Sequence, residues 1–323
     1  MKVHTLRNGD RLPALGLGTW KSAPGEVGAA VQEAIRAGYR HIDCAPIYGN
    51  EPEIGRALAE CFDEGIVSRE EMWITSKLWN DRHAPADVIP ALEETLSDLG
   101  LEYLDLYLVH WPVVIRSGLT FPESGEDMVS LDDVPIEATW ERMEAAVAAG
   151  LSRHIGVSNF SQAKVAALLE GARVAPEVDQ VELHPYLQQN ELVSFCQESG
   201  VIVTAYSPLG SRDRPERLKE DDEPVLLEDP AILRIAARLG GTSAQVLLAW
   251  ALARDTAVIP KSTNPDHIRE NLATAAVDLD DAALREVAAL DRQRRYIVGH
   301  VWAMDGSPYS IAGLWDEDTA TRP

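Results

Sequence analysis

The sequence contains few cysteines and no long apolar run. Its three cysteines have an odd count and no CxxC spacing, so we expect no disulfide framework, no cysteine-based zinc site and no other bound metal. No apolar run approaches the ~18 residues of a membrane span, and no signal-peptide pattern follows Met1. We therefore expect a protein without a membrane partner that stays in the reducing cytoplasm.

Positive charge is also scarce. The 29 basic residues stand against 52 acidic ones, which gives a formal net charge of -23 at pH 7. Because so acidic a surface repels phosphate backbones and anionic lipid, we expect no nucleic-acid partner. Only six basic residues are lysines, so a lysine in an apolar segment suggests a special role. The 46% of hydrophobic residues is enough for a large core in a globular protein.

Several motifs of nucleotide-binding and hydrolytic enzymes are missing. Gly16-Leu17-Gly18 is followed by Lys21 where the GxGxxG fingerprint requires glycine. The sequence also lacks the Walker A, HExxH and GxSxG motifs. A Rossmann fold or an α/β-hydrolase would therefore lack its functional site.

Strand and helix patterns alternate along the chain. A hairpin is predicted around Asn8-Gly9-Asp10, with arms at 5–7 and 11–13. Eight β-type runs follow at 15–19, 39–45, 72–78, 103–110, 153–158, 178–183, 201–206 and 256–260. Helical patterns between them include 27–37, 53–61, 86–99, 136–149, 162–170 and 191–198, several closed by glycine. Eight strand-helix units predict a (β/α)8 TIM barrel as one domain over 1–323; a doubly wound sheet is the alternative on periodicity alone.

Two connecting segments are longer than a barrel requires. Residues 111–135 and 208–229 are polar and rich in proline, glycine and acid, and each follows the C-terminal end of a strand. Barrel enzymes carry their active sites on that face. The tail, 292–323, contains Trp302 and Trp315 without clear periodicity, so we expect it to pack over the active-site face.

Four polar side chains are predicted at successive strand ends. Asp43 lies in the second run with Tyr48 just beyond it, Lys77 lies near the end of the third, and His110 closes the fourth. A lysine kept charged by Asp43 would lower the pKa of a nearby phenol from ~10 toward the working pH, which makes Tyr48 a candidate general acid. Each residue alone also fits a structural role, such as an ion pair or a packed rim residue. Their convergence at one mouth favours catalysis.

Seven stretches of the sequence resemble the aldo-keto reductases and together span nearly the whole chain. They are GYRHIDCAPIYGNEPEIGRAL (38–58), ITSKLW (74–79), LDLYLVHWP (104–112), IGVSNF (155–160), QVELHP (180–185), AYSPLGS (205–211) and IPKSTNPDHIREN (259–271). The resemblance implies a barrel that binds NADPH without a Rossmann fold. It implies a catalytic tetrad of Asp43, Tyr48, Lys77 and His110. It also implies a monomeric aldehyde reductase-like oxidoreductase that reduces small aldehydes or ketones.

The same resemblance implies the cofactor-binding residues. The nicotinamide carboxamide would be held by Ser158, Asn159 and Gln180, and Tyr206 would stack on the ring. Thr19, Trp20 and Asp43 are further cofactor-binding residues. The pyrophosphate would be held by Ser207, Leu209 and Ser211, with Lys21 and Asp213 as a latch. The 2'-phosphate and adenine would be held by Lys261, Ser262, Thr263, His267, Glu270 and Asn271.

His267 stands where NADP-preferring members commonly carry arginine, and a histidine is charged only when protonated. We therefore expect a preference for NADPH over NADH that is weaker than in members with arginine at this position and that depends on pH. NADH would be a second cofactor.

Aromatic residues near strand ends predict a mostly apolar substrate pocket. Its predicted members are Trp20, Tyr48, Trp79, His110, Trp111 and Phe121. Glu216 stands where aldose and aldehyde reductases carry a pocket tryptophan, so the resemblance does not establish which substrate this chain prefers. Two other functions stay open, a non-catalytic NADPH-binding regulatory barrel and a Schiff-base lyase with Lys77 as nucleophile.

Overall fold

The computed structural model describes residues 2–220 and 223–317, and its centre is a parallel sheet of eight strands within that part of the chain. The strands are β1 (Leu17–Gly18), β2 (His41–Asp43), β3 (Trp73–Leu78), β4 (Leu104–Val109), β5 (Ser152–Ser158), β6 (Val178–Glu182), β7 (Ile202–Tyr206) and β8 (Ala257–Val258). Each strand pairs with its neighbours in sequence. All eight predicted β-type runs are therefore confirmed.

Backbone hydrogen bonds join the two ends of this sheet. The amide of Val258 donates to the carbonyl of Ala14 at 2.8 Å, and the amide of Gly16 donates to the carbonyl of Val258 at 2.9 Å. One step further, the amide of Gly18 donates to the carbonyl of Pro260 at 3.1 Å. Because the first and last strands are bonded to each other, the sheet closes and no doubly wound open sheet is possible. The predicted TIM barrel is confirmed.

Helices follow the strands around the barrel. They are α1 (Val27–Ala37), α2 (Glu51–Asp63), α3 (Val88–Leu99), α4 (Ile136–Ala148), α5 (Gln162–Gly171), α6 (Asn190–Glu198), α7 (Pro230–Leu239), α8 (Ser243–Ala253), α9 (Pro265–Ala273), α10 (Asp281–Ala288) and α11 (Ile311–Trp315). The six predicted helical patterns coincide with α1 to α6. Gly38 and Gly100 end α1 and α3 with φ of 116° and 65°, the left-handed conformation that favours glycine. Gly171 differs, because it is the last residue of α5.

The predicted hairpin covers the N-terminal end of the barrel. Its strands are Val3–Thr5 and Arg11–Pro13, so the first arm lies two residues earlier than expected. The shift arises because the turn takes in Leu6, whose amide donates to the carbonyl of Asp10 at 2.9 Å. Leu6 and Leu12 pack against inward-facing side chains of the strands, among them Trp73. The opposite, C-terminal end stays open for a site.

Long segments cover part of that C-terminal end. The first contains an antiparallel ribbon of Val114–Ile115 with Met128–Val129. In the tail, Trp302 and Trp315 belong to one buried cluster with Trp79 and Trp111. The last tail residues, 318–323, and residues 1 and 221–222 lie outside the described residues. In the described part no single helix has the length and hydropathy of a membrane span; α7 and α8 reach it only as a pair bent by 91°.

Candidate active site

The parallel strands of the barrel bring the predicted tetrad to its C-terminal mouth. Asp43 ends β2, Lys77 lies near the end of β3, and His110 directly follows β4. Tyr48 ends a short 3-10 turn, Pro46–Tyr48, that continues from β2. Because parallel strands end at one edge of a closed sheet, four residues that are far apart in sequence meet there.

The ammonium of Lys77 is the centre of this group. Its Nζ donates to Asp43 Oδ1 at 2.6 Å, to the carbonyl of Cys44 at 2.8 Å and to Tyr48 Oη at 3.4 Å. Lys77 and Asp43 are 1% and 2% exposed. Burial alone would lower the pKa of Lys77, but the attraction and hydrogen bond of Asp43 and the contact with Tyr48 together outweigh burial and raise that pKa above its usual range. The amine is therefore charged at neutral pH.

The phenol of Tyr48 differs from the sequence-based expectation. Burial raises the pKa of Tyr48 to about 12, although the Lys77 ammonium acts in the opposite direction. The expected net shift of the Tyr48 pKa toward working pH is therefore wrong, because the loss of hydration exceeds the attraction of the Lys77 ammonium. The consequence is a phenol that keeps its proton at neutral pH.

The imidazole of His110 is held as a neutral ring. Burial and repulsion from the Lys77 ammonium lower the pKa of His110 well below its usual value. The main-chain carbonyl of His110 accepts a hydrogen bond from Asn159 Nδ2 at 2.9 Å. Its ring meets Trp79 edge-on, with the ring centroids 5.0 Å apart. A neutral ring beside Tyr48 can donate a hydrogen bond to a substrate oxygen without competing for the phenol proton.

A second set of hydrogen bonds links the tetrad to the predicted nicotinamide residues. Gln180 Nε2 donates to Asp43 Oδ2 at 2.7 Å, and Ser158 Oγ donates to the carbonyl of Gln180 at 2.8 Å. Asn159 Nδ2 donates to Ser158 Oγ at 3.2 Å, and Tyr206 Oη donates to Asn159 Oδ1 at 2.7 Å. These side chains are thus fixed in orientation before any ligand binds.

The predicted latch residues, Lys21 and Asp213, form an ion pair, and Lys261 of the predicted 2'-phosphate pocket contacts the same carboxylate. Lys21 Nζ donates to Asp213 Oδ1 at 2.6 Å and to Ser211 Oγ at 2.8 Å. Lys261 Nζ lies 3.3 Å from Asp213 Oδ2. Burial lowers the pKa of Lys21, and the hydrogen bond to Asp213 opposes that shift. Two cations against one anion leave an excess of positive charge on an otherwise acidic protein.

Half of the eight non-glycine residues with positive φ in the described part of the chain line the same cavity. Four of the predicted cofactor residues have positive φ although none is glycine: Lys21 at 64°, Asn159 at 63°, Ser207 at 48° and Ser211 at 50°. Such conformations cost of order 1–3 kcal/mol each and persist where the surroundings enforce them. Their location supports a ligand site here.

Most of the predicted site residues line one cavity of about 650 Å³. Its lining includes Thr19, Trp20, Lys21, Asp43, Tyr48, Trp79, His110, Trp111, Phe121, Ser158, Asn159, Gln180, Tyr206, Ser207, Leu209, Ser211, Asp213, Lys261, Ser262, Thr263 and His267. Lys77 lies behind Asp43 and Tyr48. Glu270 and Asn271 are outside the lining, and the Glu270 carboxylate accepts a hydrogen bond from Thr242 Oγ1 at 2.6 Å. Glu216 is exposed and pairs with Lys219 at 2.7 Å.

The sequence predicted that the tail packs over the mouth of the barrel, but it did not predict which tail residues line the cavity. Residues 294–302 of the tail line it, together with Ile47 and Leu218. Trp302 lies 5.7 Å from Trp79 and 5.8 Å from Trp111, measured between ring centroids. The available signal was a tryptophan in a segment without periodicity, which predicted packing over the mouth but no particular contacts.

Comparisons with known proteins agree with this geometry. A model of the Aldo/keto reductase family matches residues 14–292. The chain belongs to this family. An aldo/keto reductase of Synechocystis sp. is 55% identical over 317 residues, which cover 98% of this chain and 97% of the relative. The human aldo-keto reductase family 1 member A1 is 50% identical over 295 residues, 91% of this chain and 90% of that protein.

A solved structure supports the same assignment. The aldose reductase of Schistosoma japonicum superposes with a TM-score of 0.88 at 39% identity, over 99% of this chain and 100% of that one. The resemblance inferred from the seven sequence stretches is therefore confirmed. Membership of the aldo/keto reductase family makes the protein an oxidoreductase and supports carbonyl reduction as its reaction class.

Proposed function

We propose that this aldo/keto reductase reduces aldehydes and ketones to alcohols with NADPH, and that Tyr48 is the proton donor. One observation carries the proposal: the buried ion pair of Asp43 and Lys77 continues, through a 3.4 Å contact, to a phenol that lines the cavity. A neutral ring, His110, lies beside that phenol at 6.0 Å between centroids. A proton donor and an orienting group thus face the same space.

Each member of the tetrad has one part in the reaction. As the carbonyl oxygen of the substrate becomes negative, the phenol of Tyr48 gives it a proton. The Lys77 ammonium then stabilises the phenolate that remains, and Asp43 keeps Lys77 charged and in place. His110 hydrogen-bonds the carbonyl oxygen and thereby orients the reacting carbon.

The residues around the cavity fit a phosphorylated dinucleotide. Ser158, Asn159 and Gln180 would hold the carboxamide, because they present hydroxyl and amide groups already fixed by mutual hydrogen bonds. Tyr206 would offer a stacking face, and the ammoniums of Lys21 and Lys261 would bind phosphates. When bound, NADPH supplies the hydride that reduces the carbonyl carbon. Glu270 and Asn271, the proposed adenine contacts, would have to turn toward the ligand.

The preference between NADPH and NADH would depend on His267. This residue is exposed and lines the cavity in the first turn of α9, close in sequence to Lys261, whereas Arg269 is paired with Glu33 at 2.8 Å and with Asp266 at 2.9 Å. Arg269 is thus engaged away from the cavity. Lys261 and the N-terminus of α9 favour binding of a 2'-phosphate. In the described lining, however, α9 contributes His267 and no arginine to bind that phosphate.

The substrate pocket would be aromatic and mostly uncharged. Trp20, Trp79, Trp111 and Phe121 would surround the carbonyl compound, with Trp302 stacked 6.2 Å from Phe121 between ring centroids. Such a wall suits aliphatic and aromatic aldehydes better than highly charged ones. A cytoplasmic location and a monomeric state remain predictions from the sequence.

The two other functions fit the geometry less well. A Schiff-base lyase needs an accessible neutral amine, but Lys77 is buried, charged and engaged with three acceptors. A non-catalytic regulatory barrel has no need of a protonated phenol and a neutral imidazole side by side in an open cavity.

A direct assay tests the proposal. The purified protein is mixed with NADPH and a panel of short aldehydes, aromatic aldehydes, aldoses and diketones, and the loss of reduced nicotinamide absorbance is followed. We expect turnover with at least one class and formation of the matching alcohol. Cofactor binding without turnover on any of them would favour the regulatory barrel. Covalent trapping of a carbonyl substrate on Lys77 by borohydride would favour the lyase.

A further inference from the structure

Glu182, the last residue of β6, carries a fully buried carboxylate that the proposed reaction does not use. Its Oε1 accepts hydrogen bonds from the amide of Tyr296 at 2.6 Å and from His184 Nε2 at 2.8 Å. Its Oε2 accepts from the amide of Ile297 at 2.7 Å. Two consecutive amides of the tail are therefore bound to one side chain of the barrel.

This carboxylate is charged despite its burial. Burial alone would raise the pKa of Glu182, but the hydrogen bonds of His184 and Tyr296 and the attraction of Arg295 outweigh it and hold that pKa below its usual range. A buried charge with several donors is strongly held in one geometry, because the loss of a single donor leaves it poorly solvated.

The bound segment forms a wall of the cavity, whereas Glu182 does not line the cavity itself. Tyr296 and Ile297 both line it, and Trp302 follows after one short stretch of chain. The Trp302 ring packs against Trp79 and Trp111 at the substrate side. The position of this wall therefore depends on the hydrogen bonds that join the tail amides of Tyr296 and Ile297 to Glu182 of β6.

We propose that Glu182 is a positioning residue: by binding the amides of Tyr296 and Ile297 it fixes the tail wall, including Trp302, and so sets the affinity for bulky substrates. The proposal rests on the proposed carbonyl reduction, and it adds a residue that acts through the tail backbone. It requires that a small aldehyde, which does not reach Trp302, be insensitive to Glu182.

Glu182→Gln is the sharpest test, because glutamine keeps the size but replaces one acceptor oxygen with a donor. In either amide orientation, an NH2 group then faces the amide of Tyr296 or the amide of Ile297. The matched control is Glu144→Gln. Glu144 is also a buried carboxylate that accepts two consecutive amides, those of Arg173 at 2.7 Å and Val174 at 2.9 Å, but it does not line the cavity.

The kinetic experiment compares 4-nitrobenzaldehyde with propanal at saturating NADPH. For Glu182→Gln we expect KM for the aromatic aldehyde to rise roughly tenfold, because the displaced wall loses part of its contact with the ring, a loss of about 1.4 kcal/mol. We expect KM for propanal, kcat for propanal and the Kd of NADPH to stay unchanged. Glu144→Gln should leave all four quantities unchanged. Equal rises for both aldehydes, an altered NADPH Kd or the same effect in Glu144→Gln would overturn the positioning role.

A second measurement needs no variant and no turnover. In the unmodified protein, the amide hydrogens of Tyr296 and Ile297 should exchange with solvent as slowly as those of β6, although they lie in an irregular segment. Exchange at the rate of unbonded loop amides would overturn the anchor even if Glu182→Gln failed to fold. If the protein reduces no carbonyl compound but these two amides are protected, the proposed function fails and the anchor to Glu182 stands.

Discussion

The ammonium of Lys77 lies 2.6 Å from the carboxylate of Asp43, and both side chains are almost fully buried. Removing one partner of such a pair leaves the other charge buried and uncompensated, which costs about 3–5 kcal/mol. We predict that Lys77→Met lowers the free energy of unfolding by that order, measured by urea denaturation. The double variant Asp43→Asn with Lys77→Met should recover part of the loss. A double variant less stable than either single one would contradict this account.

Tyr48→Phe should bind NADPH normally and lose most turnover. The substitution removes the hydroxyl and keeps the ring, so it deletes the proton donor, a loss on the order of 10²-fold to 10⁴-fold in kcat. Steady-state kinetics and fluorescence titration of NADPH measure the two quantities. Tyr39→Phe is a suitable control, because the Tyr39 hydroxyl is also buried but donates to the carbonyl of Ile268 away from the cavity. Near-normal turnover of Tyr48→Phe would remove Tyr48 from this role.

His267→Arg should tighten NADPH binding and leave NADH binding unchanged. Arginine gives a permanent bidentate contact to the 2'-phosphate, whereas histidine contributes charge only when protonated. Dissociation constants of NADPH and NADH, measured by fluorescence titration for the unmodified protein and for the variant, decide this. Arg269→Ala is the control, and a larger loss there than in His267→Ala would assign the phosphate contact to Arg269.

His154 predicts a pH dependence of stability at the opposite end of the barrel. Burial lowers the pKa of His154, but its hydrogen bonds to Glu177 and Asp10 outweigh burial and raise that pKa above the usual value. The resulting stability is fully present below the unfolded pKa of ~6.5 and is lost as pH rises through the higher folded pKa. We expect His154→Gln to lower the urea midpoint more at pH 6 than at pH 8.5. An equal loss at both pH values would show that His154 acts by packing alone.

The barrel and the tetrad could be predicted because both depend on order along the chain. Alternation of short apolar runs with helical patterns gave eight strands, and parallel strands in a closed sheet must end at one mouth. Asp43, Lys77 and His110 therefore had to meet once each was assigned to a strand end. The first arm of the hairpin was misplaced, because the local pattern did not reveal that Leu6 belongs to the turn.

What the sequence determined by itself is thus the fold class, the family and the four residues at the strand ends, since these follow from local periodicity and contiguous motifs. Only the tertiary structure decided the direction of the pKa shift of Tyr48 and the contacts that hold the tail over the mouth of the barrel. The pKa of Tyr48 is raised to about 12 by burial, and burial depends on elements that lie far apart in the chain. The bond from the Tyr296 amide to Glu182 spans 114 residues, and no local pattern pairs a particular carboxylate with a particular amide at that distance.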